Sequence, residues 1–476
     1  MSENSGLRAK LSPLVYLSNN WISRIGVFLV SAAGVFWLFM LPTYLQGHSG
    51  GSAYIGILLY LIFPMVFFAG LALIPVGIYL RKRQLGADTP MRDVLGMQSL
   101  RWQNPDVRKL MVFIGLATGA NIIIAANLSY RAVEHMDSVQ FCGQTCHVVM
   151  KPEFTAYQNS PHSKVECVQC HIGPGASWFV QSKLSGMHQV FAVAFNTFER
   201  PIPTPVENLR PARETCEGCH WPDRYGGERL RVIPHFTDEG QLTQTVLLMR
   251  IGGGNVAGSG IHSRHVGQGI KIRYGHTDRT RQTIPYVEYS VRGTNNREYF
   301  AEKATAADVA KLQMREMDCV DCHNRPSHNT DLPERALDNA MAAGNVVPSI
   351  PGVRKAALEI LKKEYTSTAQ AEAEIPVAMK KAIAGKGSEA DVDRTVKGVL
   401  AVWQRNIFPE MKITWGTYVN NIGHNDFPGC YRCHDDKHKT QDGKATISQD
   451  CNACHVLLSM EESKPKILKD LGMSEE

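Results

Sequence analysis

The stretch FCGQTCH, residues 141–147, places two cysteines directly ahead of a histidine. The same order recurs five times with two residues between the cysteines: CVQCH at 167–171, CEGCH at 216–220, CVDCH at 319–323, CYRCH at 430–434 and CNACH at 451–455. These six motifs use all 12 cysteines of the 476-residue chain. C-x-x-C-H is the attachment signature of c-type haem, because two thiols bond to the vinyl groups at one porphyrin edge and the next imidazole can bind the iron.

Zinc binding and disulfide bonding are the other common uses of paired cysteines. A zinc site makes no demand on the residue after the second cysteine, and six consecutive histidines there have a chance probability on the order of 10⁻⁹. No cysteine is left over for a disulfide. The motifs therefore predict up to six covalently bound haem c groups. The thioether cysteines would be Cys142, Cys146, Cys167, Cys170, Cys216, Cys219, Cys319, Cys322, Cys430, Cys433, Cys451 and Cys454, and the proximal iron ligands His147, His171, His220, His323, His434 and His455.

Of the 17 histidines, six follow the cysteine pairs and 11 remain for the second face of each iron. The best candidates lie next to a motif, and GIHSRHV supplies two weaker ones because surface histidines are common. A haem with two histidine ligands has no open coordination position, so it carries electrons without binding a substrate at iron. The candidates near motifs are His162, His328, His424 and His438, and the weaker pair is His262 and His265.

Three apolar runs precede the first motif, at 25–45, 54–80 and 110–130, and none contains Asp, Glu, Lys or Arg. Each is long enough to cross a ~30 Å hydrocarbon core as a helix. The first run is long for a signal peptide and lacks a clear small-x-small cleavage site, so we expect an uncleaved anchor. The runs therefore predict three transmembrane helices.

The distribution of Lys and Arg predicts the orientation of these helices. The loop 46–53 carries neither residue, so we expect it outside the cytoplasm. The N-terminus and the second loop should be cytoplasmic, and everything after residue 130 periplasmic, where haem is attached to c-type cytochromes. The protein is thus expected to lie in a membrane, with its haem motifs on the outer side. The basic residues are Arg8, Lys10 and Arg24 before the first helix, and Arg81, Lys82, Arg83, Arg92, Arg101, Arg108 and Lys109 in the second loop.

The exported part divides by its residue patterns. IKIRYG and IPYVEYSVRG are β-branched and aromatic runs that end in glycine, which is typical of strands. VRKAALEILKKEY and VDRTVKGVLAVWQRN have helical apolar spacing. The predicted fold is a membrane three-helix anchor plus a periplasmic multihaem cytochrome c domain, mostly helical or irregular with a small β-rich insertion. Its segments would be 1–24 (cytoplasmic), 25–130 (anchor), 131–224 (three haems), 225–315 (β-rich) and 316–476 (three haems, helical).

Residues 130–220, which include MKPEFTAYQNSPHSKVECVQCH, resemble the NapC/NirT/NrfH family of membrane-anchored quinol dehydrogenases. The shared order is a transmembrane helix, a haem motif, a Met, S-P-H and two C-x-x-C-H motifs. The remainder resembles, more diffusely, the larger multihaem inner-membrane cytochromes of bacteria that respire extracellular acceptors. CVDCHNRPSH and GCYRCHDDKH carry that likeness.

The resemblance implies a distinct first haem that lies nearest the membrane and faces a quinol pocket. In the family, a Met just after the motif histidine is its axial ligand. Here C-x-x-x-C-H-x-x-M departs from the family at both spacings, so Met150 and His147 are both candidates. The unusual spacing of FCGQTCH is interpreted as the mark of this haem.

The resemblance also implies a lysine beside the quinol, 12 residues after the second motif histidine. Lys183 lies 12 residues after His171 and matches. A family aspartate seven residues further on corresponds to Val190 here, so His188 or Gln189 would have to replace it. Histidine has a pKa suited to accepting a proton near neutral pH. Lys183 and His188 are therefore the predicted catalytic residues.

These features predict a membrane-bound quinol dehydrogenase that passes electrons from a quinol, expected to be menaquinol, through six haems to a periplasmic cytochrome or terminal reductase. The same chain of haems could run backwards as a quinone reductase fed by periplasmic donors. It could also be a non-catalytic relay subunit of a larger respiratory complex. No C-x-x-C-K motif is present, which argues against a small-molecule reductase. A net charge of +6 is small for this length and gives no indication of nucleic-acid binding.

Overall fold

Three long apolar helices make up most of the N-terminal unit of the chain. The computed structural model describes residues 17–45, 62–85, 105–145, 147–206, 209–221, 227–253 and 260–473. The chain forms two units, 1–145 and 146–476. The first contains α1 (Trp21–Leu45), α2 (Phe63–Gln84), α3 (Pro105–Met136) and a π-helical turn (Phe141–Thr145).

All three helices are long and apolar enough to cross a membrane. They overlap the three predicted spans, but α1 and α3 begin earlier and α2 and α3 end later than the apolar runs. The additional turns carry polar residues, such as the three basic residues in the last turn of α2, which interact favourably with the negative end of the helix dipole. The predicted span residues 54–61, and the basic residues Arg8, Lys10, Arg92 and Arg101, lie outside the described residues.

Small residues allow α1 and α2 to pack closely. A Cβ atom added to Gly26 would lie 2.5 Å from the Gly70 carbonyl oxygen, and one added to Gly70 would lie 2.9 Å from the Gly26 oxygen. Ser23 is fully buried, and its hydroxyl donates to the carbonyl of Ile74 at 2.9 Å. Helices in lipid associate through such close backbone approach and interhelical hydrogen bonds, because the hydrophobic effect gives them no driving force there.

A polar contact joins α3 to α1. The side-chain amide of Asn121 donates to the Ser31 hydroxyl at 2.9 Å, and also to the carbonyl of Ala117 within its own helix at 3.0 Å. Large apolar side chains such as Leu38, Leu116 and Ile123 are more than 70% exposed in the protein alone. This arrangement, with polar contacts inward and apolar side chains outward, is suited to surrounding lipid.

The second unit consists of short haem-motif turns, two antiparallel sheets and a helical bundle. Its helices are α4 (His147–Gln158), α5 (Cys167–His171), α6 (Ala176–Ala194), α7 (Ala212–Cys216), α8 (Ile261–His265), α9 (Ala306–Val309), α10 (Cys319–Cys322), α11 (Pro333–Ala342), α12 (Val353–Leu361), α13 (Thr368–Ala382), α14 (Glu389–Asn406) and α15 (Lys466–Asp470). Its strands are β1 (Arg229–Phe236), β2 (Leu242–Met249), β3 (Ile270–His276), β4 (Tyr286–Val291), β5 (Thr294–Phe300), β6 (Gln313–Glu316) and β7 (His455–Glu462). Single 3₁₀ turns occupy Pro409–Met411, Gly429–Arg432 and Cys451–Ala453.

The two sheets connect distant parts of the chain. One has the order β1-β2-β7 and the other β5-β4-β3-β6, with every pairing antiparallel. Met249 of β2 lies opposite His455, the histidine of the last motif and the first residue of β7. Strands from the predicted segments 225–315 and 316–476 therefore share a sheet.

Helices α11 to α14 form the largest hydrophobic core. On α13 and just beyond it, Ile375, Met379 and Ile383 recur every four residues and are fully buried, as expected for one face of a helix. Trp403 of α14 packs edge-on against Tyr365 at 5.8 Å between ring centroids. None of the six cysteine motifs lies in this segment, so we interpret the bundle as scaffold for the motifs that flank it in sequence.

Replacing Gly26 with valine should loosen the packing of α1 against α2. The added side chain must displace the Gly70 backbone, and overpacking of this kind costs about 1–3 kcal/mol. The measurement is thermal unfolding of the purified protein in detergent. Gly34→Val on the same helix is the control, because a Cβ atom there meets nothing within 4 Å. Equal stability of the two variants would contradict the described packing.

Candidate haem-binding sites

Five of the six motifs fold as a single tight turn. The cysteine pairs in the order of the chain lie in or beside α5, α7, α10 and the two 3₁₀ turns at Gly429–Arg432 and Cys451–Ala453. Two residues between cysteines place both thiols one turn apart on the same side, which attachment to one porphyrin edge requires. Two of the turns are each capped by an aspartate. The Asp318 side chain accepts from the backbone amide of Cys319 at 2.6 Å, and the Asp450 side chain accepts from the backbone amide of Asn452 at 3.0 Å.

Each of these five motif histidines lies near one histidine from another part of the chain. A metal–imidazole bond is about 2 Å long, and a ring nitrogen lies about 1 Å from the ring centre, so two imidazoles on opposite faces of one iron have centroids about 6 Å apart. The described pairs have this spacing and therefore fit a haem iron between them. The centroid distances are 6.1 Å for His171–His328, 5.9 Å for His220–His162, 6.3 Å for His323–His262, 5.9 Å for His434–His265 and 6.2 Å for His455–His424.

Hydrogen bonds orient the rings. The Nδ1 atom of His328 donates to the carbonyl of Glu153 at 3.0 Å, that of His265 to Ile261 at 2.8 Å, and that of His434 to Ser448 at 2.8 Å. A carbonyl partner on Nδ1 fixes the tautomer with Nε2 unprotonated and available to a metal. These rings are therefore set to bind iron through Nε2.

Burial favours the neutral form of several of these histidines. Loss of solvent lowers the pKa of His171, His265, His323 and His328, since an imidazolium ion is poorly stabilised away from water. At His328 the Glu153 carboxylate acts in the opposite direction and raises the pKa, but less than burial lowers it. A neutral imidazole is the form that can ligate a metal.

The single turn of α8 supplies two of the partners. His262 and His265 are three residues apart on one helical turn, yet one ring meets His323 and the other meets His434. The fourth and fifth motifs thus share one short helix on their distal side. From the sequence these two histidines are the weaker candidates, because surface histidines are common, and nothing in GIHSRHV shows which motifs the turn approaches.

Proximity in sequence identified several of the partners without identifying their motifs. His162 precedes the second motif but pairs with His220 of the third, and His328 follows the fourth but pairs with His171 of the second. His424 precedes the fifth motif and pairs with His455 of the sixth. Its ring also stacks on Tyr431 at 4.3 Å. The fold therefore pairs each of these histidines with a motif other than the one nearest to it in sequence.

His438 has a different environment from the other candidates. It is 2% exposed, and both ring nitrogens have partners: Nδ1 meets the Asp435 carboxylate at 2.9 Å and Nε2 the Ile284 carbonyl at 2.7 Å. With both nitrogens used, the ring has no lone pair directed at a metal. This placement favours a structural role, in contrast to the ligand role expected from CHDDKH.

The first motif is only partly described. Cys142 lies in the π-helical turn, half-buried, where Phe141 packs against the His135 ring at 5.6 Å. Cys146 and the side chain of His147 lie outside the described residues, and Met150 is half-buried on α4. Whether Met150 or His147 binds the first iron stays a prediction.

Helix α6 carries the two predicted catalytic residues. Lys183 is half-buried with its ammonium 4.8 Å from the centre of the Phe179 ring, whereas His188 is exposed. Five residues correspond to a rotation of about 140° around a helix, so these two side chains do not share a face. Exposed apolar side chains surround them, including Leu184 and Phe191, which are 61% and 57% exposed.

The cysteines of successive motifs lie close to one another. Cys170 lies near Cys216 and Cys219, and Cys216 lies near Cys319. Cys430 lies near Cys322 on one side and near Cys454 on the other. The second to sixth motifs therefore follow one another in space in the order of the sequence.

The turns and histidine pairs define a multihaem c-type cytochrome with membrane helices. The sequence model of the NapC/NirT cytochrome c family, N-terminal region, matches residues 105–203. Cytochrome c-type protein ImcH of Geobacter sulfurreducens is 40% identical over 467 residues, which cover 95% of this chain and 91% of that protein. Cytochrome c-type protein NrfH of Wolinella succinogenes is 25% identical over 113 residues, 23% of this chain and 62% of that protein. No solved structure matches the chain.

This chain belongs to the NapC/NirT cytochrome c family. The membership confirms the resemblance inferred from residues 130–220, and it implies covalently bound haem c and electron transfer by a membrane protein. The match to ImcH extends well beyond the family segment, over the sheets, the bundle and the last three motifs.

Replacing His328 with alanine should leave one haem without its second histidine. That haem is expected to change from low-spin to high-spin, which affects about one-sixth of the haem signal in absorption and electron paramagnetic resonance spectra. His235→Ala, at a half-buried histidine of β1, is the control and should leave the spectra unchanged. An unaltered spectrum for His328→Ala would show that another group binds that iron.

Replacing His438 with alanine should weaken the fold and leave every haem low-spin. The change leaves the Ile284 carbonyl and the Asp435 carboxylate without their buried partner, which costs about 1–3 kcal/mol. Denaturant unfolding measures the loss, and the spectra serve as the internal check. Appearance of a high-spin haem would instead show that His438 is a ligand.

Proposed function

We propose that this chain oxidises a membrane quinol, menaquinol by expectation, and passes the electrons through six haem c groups to a periplasmic cytochrome or terminal reductase. Oxidation of one quinol releases two electrons and two protons. The haems, when bound, supply one-electron carriers. The observation that carries the proposal is the row of five histidine pairs, which supports continuous transfer along the second unit.

The histidine pairs also support a relay role for most of the haems. At the second to sixth sites two histidines would hold the iron, which would leave no position there for a substrate. Substrate oxidation is then expected at the one site whose spacing differs, C-x-x-x-C-H at 142–147. We place the quinol at the first haem for this reason, and the acceptor at the sixth.

Lys183 is proposed to bind the quinol. Its ammonium group would donate a hydrogen bond to a quinol oxygen and stabilise negative charge as protons leave. The exposed apolar side chains of α6 support contact with lipid or with the quinol ring, since apolar surface of this kind marks such sites. His188 lies on another side of the helix, so its role as proton acceptor needs a quinol or water that bridges the two.

The proposal includes a topology of three passes through the inner membrane. The N-terminus would lie in the cytoplasm and the residues after 130 in the periplasm. The three apolar helices and the absence of Lys and Arg from the loop 46–53 support this topology. It would place every haem motif on the side where haem attachment occurs.

A relay subunit without its own quinol site is the second candidate. Val190 stands where the family has an acidic residue, and α6 directs Lys183 and His188 to different sides. Both observations favour quinol chemistry elsewhere in a larger complex. Electron flow in the opposite direction, from periplasmic donors to quinone, uses the same row of histidine pairs.

Replacing Lys183 with alanine should slow reduction of the purified protein by a menaquinol analogue. A hydrogen bond from a charged donor contributes about 1.5–3 kcal/mol, equivalent to about a ten- to hundredfold change in rate. The measurement is stopped-flow absorbance of the reduced haem α-band. Lys381→Ala, at an exposed lysine of α13, is the control.

Wild-type protein that stays oxidised with the quinol, yet is fully reduced by dithionite, would contradict the quinol dehydrogenase and support the relay subunit or the reverse direction. Equal rates for Lys183→Ala and Lys381→Ala would show that Lys183 does not bind the quinol, without contradicting the proposed dehydrogenase activity.

A further inference from the structure

Arg432 lies between the two cysteines of the fifth motif and links that motif to the fourth by hydrogen bonds. Its Nε donates to the Gly429 carbonyl at 2.8 Å, Nη1 to the Arg281 carbonyl at 2.9 Å and Nη2 to the Asp321 carbonyl at 2.6 Å. Asp321 lies between the two cysteines of the fourth motif. One half-buried guanidinium group therefore holds the backbones of two haem-attachment turns together.

The Asp321 side chain is the centre of the adjoining cluster. It is 2% exposed and accepts from the Tyr274 hydroxyl at 2.6 Å, from Arg281 at 2.9 Å and from Arg315 at 2.9 Å. With Arg432 there are three guanidinium groups, and the carboxylates are Asp321 and the neighbouring Asp318, which caps the fourth motif. The cluster between the two motifs therefore still carries a net positive charge.

The charge of Arg432 is only partly compensated. Among the residues that the structure describes, its hydrogen-bond partners are neutral carbonyl groups, and no carboxylate lies within salt-bridge distance. The Arg432 guanidinium group is hydrogen-bonded to both attachment turns, to the Gly429 carbonyl beside Cys430 and to the Asp321 carbonyl between Cys319 and Cys322. Its positive charge therefore lies beside both turns.

We propose that Arg432 is a positioning residue whose fixed charge raises the midpoint potential of the haems attached at the fourth and fifth motifs. A positive charge in a poorly solvated site favours the reduced iron, which has one positive charge fewer than the oxidised iron. A guanidinium group stays protonated at any pH that a protein tolerates, so the effect is permanent. The proposal rests on haem attachment at these two motifs and is independent of the quinol and of the direction of electron flow.

Substitutions at different residues of this cluster should shift the midpoint potentials of the haems in opposite directions. Arg432→Gln removes a positive charge, and we expect two of the haems to shift to lower potential. Arg432→Lys keeps the charge and should retain most of the wild-type potential. Asp321→Asn removes the opposing negative charge and should shift the fourth haem to higher potential. A purely structural clamp would not give shifts whose sign follows the charge.

The experiment is a mediated redox titration of the full-length holoprotein in detergent, followed in the α-band, with haem per chain determined as pyridine haemochrome. Arg394→Gln is the control for loss of one positive charge, because this exposed residue of α14 pairs with Asp391 in the helical bundle. Its titration curve should coincide with that of the wild type.

Three outcomes would overturn the proposal: unchanged potentials in Arg432→Gln with all haems present, the same downward shift in Arg432→Lys as in Arg432→Gln, or a wild-type protein without haem at the fourth or fifth motif. If Arg432→Gln fails to take up haem, Asp321→Asn decides, because a downward or absent shift there contradicts the charge effect. Failure of quinol oxidation alone would leave these results unaffected.

Discussion

Two imidazoles that share one iron must face each other across about 6 Å, and this requirement explains most of the architecture of the second unit. Only one histidine of each pair is fixed by the cysteines beside it. The other must be brought from a distant segment, as His328 is brought to His171 across 156 intervening residues. Each such pairing closes a loop of chain, so the five pairs join segments that the sequence separates.

The sheets and the helical bundle provide the rigidity that these pairings need. The pairing of β7 with β2 brings the last motif back to the middle of the chain, and α8 holds two distal histidines on one turn. Carbonyl partners on Nδ1 then fix the orientation of the rings. An imidazole positioned before the cofactor arrives loses less conformational freedom on ligation, which favours the intended pairing over alternatives.

Electrostatics differ along the row of motifs. The fourth and fifth turns are linked through half-buried arginines and the buried Asp321. At the second site, by contrast, Glu153 and Arg325 form a nearly neutral pair beside His328, 3.2 Å apart. A buried carboxylate such as Asp321 is stable only with several partners, since an unpaired charge away from water is costly. Because these partners are held by the fold, the local charge is fixed as well. A fixed charge of this kind can change the midpoint potential of a nearby haem.

The sequence by itself determined the chemistry of attachment, the class of protein and the three apolar helices. Covalent bonding fixes the C-x-x-C-H spacing, and the thickness of the bilayer fixes the length of an apolar run, so both can be recognised within a short stretch. Only the tertiary structure decided which histidine faces which motif. That choice depends on contacts between segments that are far apart in the sequence: His328 lies 157 residues after His171, and His434 lies 169 residues after His265. The same dependence on tertiary contacts explains why His438, next to a motif in sequence, contacts a carbonyl and a carboxylate. It also explains why His262 and His265, remote from every motif in sequence, each face a motif histidine.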